Sequence, residues 1–269
     1  MMRTILLTVV MSWRLLGQSF DVASVKPSPE PPNGLWQYRS TGGPGTNDPT
    51  LFTCQSFSIA YLTQMAYGIS SYLVSAPTWT QDKKFDIVAK IPEGATKEQF
   101  RIMLQNLLAE RFKLVAHWEK KEIPLYELVI AKNGSKLREA REPEERTDTP
   151  PFPDGMKKDG DGFPILPRGQ TAYAISNEKA TLRGSGETME HFASTLAGQL
   201  HEPVIDATGL KGKYDFTLTW LPGDFPREDQ SGSTLQNALP QQLGLILKHT
   251  RGPMQILVVD QVEKTPSEN

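Results

Sequence analysis

The chain has 269 residues, enough for one large domain or for two small ones that each bury a core. Its formal charge is −2, from 29 Lys and Arg against 31 Asp and Glu, and no basic stripe stands out, so it lacks the electrostatic footprint of a nucleic-acid binder. A single cysteine, Cys54, excludes any disulfide within the chain, and stability must come from packing.

The first 13 residues place Arg3 before an apolar run that ends at Trp13. This is the layout of a secretory signal peptide, expected over 1–18, although Arg14 interrupts the run. The run is too short to span a bilayer, and no later stretch offers about 18 apolar residues in a row, so no membrane span is expected in the mature chain. An extracytoplasmic location, periplasmic or secreted, follows as an expectation.

A first module is expected over 19–132. It opens with a strand from Ser19 to Lys26, ended by Pro27, and a long Pro- and Gly-rich loop over 27–50. Leu51-Phe-Thr-Cys-Gln55 alternates like a strand, with Cys54 as a small half-buried apolar residue. Ile59, Leu62, Met65 and Ala66 recur at helical spacing, Lys84 to Lys90 reads as a strand, and Thr96-Lys-Glu-Gln99 fits a capping box that starts a second helix. Phe112 to Glu119 and Leu125 to Ala131 then read as a strand pair, with Lys120-Lys-Glu-Ile-Pro124 as its hairpin turn. A charged linker rich in Pro and Gly is expected over 133–179.

The second module, expected over 180–262, repeats the order of helix, strand, helix, strand and strand. Glu187 to Gly198 matches Phe57 to Gly68, and Lys213 to Pro222 matches Lys84 to Pro92. Ser233-Thr-Leu-Gln236 resembles a second capping box, Pro240 predicts a short or kinked helix, and Arg251-Gly-Pro-Met254 reads as the last hairpin turn. The tail, 263–269, is expected to fray. Together these elements predict an α+β protein of two similar helix-strand-helix-strand-strand modules.

None of the four histidines, His117, His191, His201 and His249, falls at a metal-ligand spacing, and no nucleophile elbow, Walker loop or dinucleotide fingerprint is present. His117 and Glu119 alternate on one strand face and could together bind a metal or a polar ligand, but an exposed strand pair is the favoured reading. Asp86 and Asp215 occupy matching places in the two modules, but alternation turns each away from the core, toward solvent or a turn hydrogen bond. Loop and strand aromatics suggest a binding surface, because Trp and Tyr offer large rigid area at low entropic cost. The candidate binding residues are Trp36, Tyr38, Trp79, His117 and Trp118. No catalytic residue, metal ligand or cofactor is assigned.

Several stretches carry a resemblance. Ser19-Phe-Asp-Val-Ala-Ser-Val-Lys-Pro27, Gln64-Met-Ala-Tyr-Gly-Ile69, Ala76-Pro-Thr-Trp79, Met103 to Phe112, Gly209 to Phe216 and the closing Val258 to Asn269 together resemble a family of soil bacteria carried as a domain of unknown function. The resemblance covers the mature chain and implies export. Some members carry the domain behind a membrane metallopeptidase of the antibiotic-sensor type, and no catalytic residues carry over. More loosely, Ala238-Leu-Pro-Gln-Gln-Leu-Gly-Leu245 is similar to the turn into the final hairpin of the short N-terminal domain of secretins and TonB-dependent receptors, whose partners are proteins. The expected function is therefore an exported, non-catalytic binding or sensing protein with an envelope protein or peptide as partner. A hydrolase with a site in the cleft between the modules, using Asp86, Asp215 or His117, remains the alternative.

Overall fold

The computed structural model describes residues 19–140, 166, 168–176, 178–222 and 234–267. The expected leader, the acid run at Glu142, Glu144 and Glu145, and Ser233 lie outside the described residues. Among the described residues, four α-helices and twelve strands in three sheets give an α+β fold. The chain divides into two compact units, one of residues 1–120 with 255–269, the other of residues 121–254.

In the first unit the elements are β1 (Val22–Pro27), β2 (Arg39–Gly42), β3 (Leu51–Ser58), α1 (Ile59–Tyr67), β4 (Val74–Ser75), β5 (Lys84–Lys90), α2 (Lys97–Phe112) and the start of β6 (Val115–Ile130). Strands β1, β5, β3 and β2 form an antiparallel sheet in that order, with β2 inside the stretch expected to be loop. Helix α1 starts because Ser58 accepts the amide of Tyr61, and it stops at Gly68, whose φ of 64° fits a residue without Cβ. Helix α2 carries the expected capping box, with the Thr96 side chain accepting from the Gln99 amide and the Gln99 side chain accepting from the Thr96 amide. Its apolar face, Met103, Leu104, Leu107, Leu108 and Phe112, is buried, and the Phe112 ring meets Phe85 of β5 edge-on at 4.8 Å.

The second unit contains the rest of β6, then β7 (Arg138–Glu139), β8 (Gln170–Ser176), β9 (Lys179–Glu187), α3 (Met189–Leu200), β10 (Val204–Asp206), β11 (Tyr214–Trp220), α4 (Leu235–Ala238) and the start of β12 (Leu245–Gln261). Its sheet runs β7-β11-β9-β8, so the stretch expected as linker contains two strands. Helix α4 is four residues long and passes into a π-helical turn, Leu239–Leu243, that contains Pro240. Gly184 is packed so tightly that a Cβ there would lie 2.4 Å from the Phe216 ring, which itself packs on Phe192 at 4.4 Å. The order strand, helix, short strand, strand, helix, long strand occurs from β3 to β6 and again from β9 to β12.

Neither expected hairpin forms. Lys120 to Pro124 lies within the single strand β6, and Arg251 to Met254 within the single strand β12. Gly252 looked like a turn residue, but it is not among the glycines with positive φ. It leaves room instead for Leu125, whose Cδ2 would stand 3.0 Å from a Cβ at that position. The Arg251 guanidinium donates to the Glu122 carbonyl at 2.8 Å, tying the two strands together where the turns were expected. Each strand is therefore divided between the units at residues 120/121 and 254/255. In the first unit β4 runs parallel to β12 at Leu257 and Val258, and in the second β10 runs parallel to β6 from Tyr126 to Leu128. Pro124 lies outside the β10–β6 register and Pro253 outside the β12–β4 register.

Candidate functional site

The candidate aromatic residues all belong to the first unit, and Tyr38, Trp79 and Trp118 each have a different neighbour. Trp118 alternates onto one face of β6 and is 49% exposed, its ring braced edge-on by Tyr67 at the end of α1, 6.2 Å away. Burial raises the Tyr67 pKa, so the phenol that supports the indole stays neutral. His117 points to the opposite face of the strand, where its Nδ1 pairs with Asp260 of β12 at 2.8 Å. Both side chains of that pair are substantially exposed, at 52% and 43%, so the pair orients the ring more than it stabilises the fold.

Trp79 sits in a 3-10 turn after β4 and packs partly against the core, with the Lys264 ammonium 5.3 Å from its ring centre. Tyr38 is exposed and carries the Lys84 ammonium at 5.5 Å. Trp36 is half-buried in the loop before β2. Among the described residues no ring contact joins Trp36, Tyr38, Trp79 and Trp118 to one another. The structure thus pairs His117 with Asp260 and Trp118 with Tyr67, on opposite faces of β6.

The two matching aspartates share one architectural task. Strand β3 bulges between Cys54 and Phe57, with Ser56 at φ 62°, and the Ser56 amide donates to Asp86 Oδ1 at 2.9 Å. Ser28 Oγ donates to the same oxygen at 2.5 Å. In the second unit Gly186 has φ 62° at the end of β9, and its amide donates to Asp215 Oδ1 at 2.8 Å. Each carboxylate satisfies a backbone N–H that the bulge removes from the ladder. That is the turn hydrogen bond expected from alternation, and these geometries assign neither acid a reacting group.

One polar constellation escaped the sequence reading. The Glu187 carboxylate is buried, with only 2% of its side chain exposed, and both oxygens are engaged. Oε1 accepts from Thr171 Oγ1 at 2.8 Å, and Oε2 pairs with His191 Nδ1. The His191 ring is half-exposed. At the corresponding positions of the first unit stand Phe57 and Tyr61, packed edge-on at 4.8 Å. The backbone does not demand a charged pair there. The spacing of four residues was visible in Glu187-Thr-Met-Glu-His191, but it straddles the end of β9 and the cap Thr188, and the third partner lies across the sheet in β8.

Among the described residues no cluster of three His, Cys, Asp or Glu could hold a metal ion, and no helix is long and apolar enough to cross a membrane. No curated protein and no solved structure matches the chain. The profile of the family described as Protein of unknown function (DUF3738) matches residues 60–262, and the chain therefore belongs to that family.

Proposed function

We propose that this is an exported, non-catalytic binding or sensing protein that engages a protein or peptide partner in the cell envelope. The observation that carries this reading is Trp118, a large ring left half in solvent on a strand and fixed from behind by Tyr67. An exposed, pre-positioned indole buries much area on contact and loses little freedom, which is why such residues dominate the energetics of interfaces. The apolar leader-like start and the resemblance to envelope domains that bind proteins point the same way.

Affinity capture from an envelope extract of the host tests it, with the wild-type chain and Trp118→Ala, Trp36→Ala and Trp79→Ala as parallel baits. A protein retained by the wild type and lost with Trp118→Ala is the expected result. Identical recoveries from all four baits would remove this surface from the function.

A further inference from the structure

We propose that the groove between strand β1 and helix α2 binds an extended, positively charged peptide, which adds as a further strand to the free edge of the sheet. The inference rests on the binding reading above and names the chemistry of the partner. The groove holds about 330 Å³, enough for one or two side chains, and is lined by Ser19 to Ala23 on one side and by Met103, Asn106, Leu107, Glu110 and Arg111 on the other.

Three features select the occupant. First, among the described residues β1 is an edge that pairs only with β5, so alternate residues of an antiparallel edge turn their N–H and C=O groups outward, and an extended polypeptide is the ligand that satisfies them. Second, Phe20, Met103 and Leu107 give the groove apolar walls, and Val22 adds an isopropyl group that is 67% exposed. Third, the carboxylates of Asp21 and Glu110 face the same groove from its two sides, and among the described residues neither has a hydrogen-bond or ion-pair partner. Against the single lining cation, Arg111, the two acids leave the groove with a formal charge of −1. The complementary ligand alternates apolar side chains with Lys or Arg, one set meeting the apolar wall and the other the acids.

Fluorescence anisotropy with the full-length chain tests this, using a capped, labelled peptide of alternating lysine and valine as the probe. The expected result is saturable binding that weakens with added salt, falls about tenfold when Asp21→Lys and Glu110→Lys are combined, and disappears when alternate peptide nitrogens are methylated. Both substituted residues are exposed, and thermal unfolding checks that the double variant keeps its fold. A glutamate–valine peptide that binds equally well, or a methylated peptide that binds like its parent, overturns the proposal. So does a chain that dimerises through this edge and leaves the peptide unbound. If the peptide fails while a Trp118-dependent envelope partner is still captured, the groove is wrong and the binding reading stands. If both fail, both are wrong.

Discussion

Cys54 shows how much one side chain reveals about its surroundings. It is fully buried in β3, and its thiol is pushed up from an ordinary 9.0 to about 12. Burial away from water is the main cause, a backbone hydrogen bond from Ile87 pulls the other way, and the nearby Asp86 charge adds to the rise. The folded state holds this proton where the unfolded chain has lost it, so the contribution is intact below pH 9.0 and drains away as the pH climbs toward about 12. Urea unfolding of the wild type should weaken between pH 9.0 and about 12 more steeply than that of Cys54→Ala. The native thiol should also ignore a disulfide reagent that labels the unfolded chain at once. Apolar alternation placed Asp86 and Asp215 away from the core, whereas Cys54, expected to be half-buried, is fully buried. Glu187 was not legible, because a buried carboxylate is rational only once its partners Thr171 and His191 are seen around it.

At the scale of elements, periodicity located α1 and β5 and a capping box located α2, because these signals are local: Thr96 and Gln99 act on their own segment, whereas the helical face expected to run past Gly68 to Ile69 stops at Gly68. The two hairpins failed because a Pro or Gly in a strand has two readings, a turn or a close approach, and only the neighbour decides between them. For Gly252 the neighbour is Leu125, more than a hundred residues away in sequence. Gly184 is the sterner case. In Gly184-Ser-Gly186 the first glycine makes way for Phe216 and the second bends the backbone toward Asp215, so the short motif is a packing device. Gly184→Ala should cost about 3 kcal/mol, since the Phe216 ring must move within a packed core, and a shifted urea midpoint with an unchanged slope would show it. A variant as stable as the wild type would mean that the ring has room to turn.

Across the whole molecule, the first unit depends on the last residues of the chain. Val259 belongs to its core, the Glu263 amide donates to the Phe112 carbonyl at 2.7 Å, and the Ser267 amide donates to the Arg111 carbonyl at 2.8 Å. Ending the chain at residue 254 should therefore expose the first unit while sparing the second, which is the continuous stretch 121–254. Hydrogen exchange should then quicken across β5 and α2 but not across β9 and β11. Uniform protection in both units would show that the tail contributes nothing to the first. The division of β6 and β12 also sets an order of events during synthesis. During synthesis the second unit can complete as soon as residue 254 is free, while residues 19–120 wait for residues 255–269 before the first unit can close. The strands made earlier therefore close later, and during that interval they are the part most in need of protection.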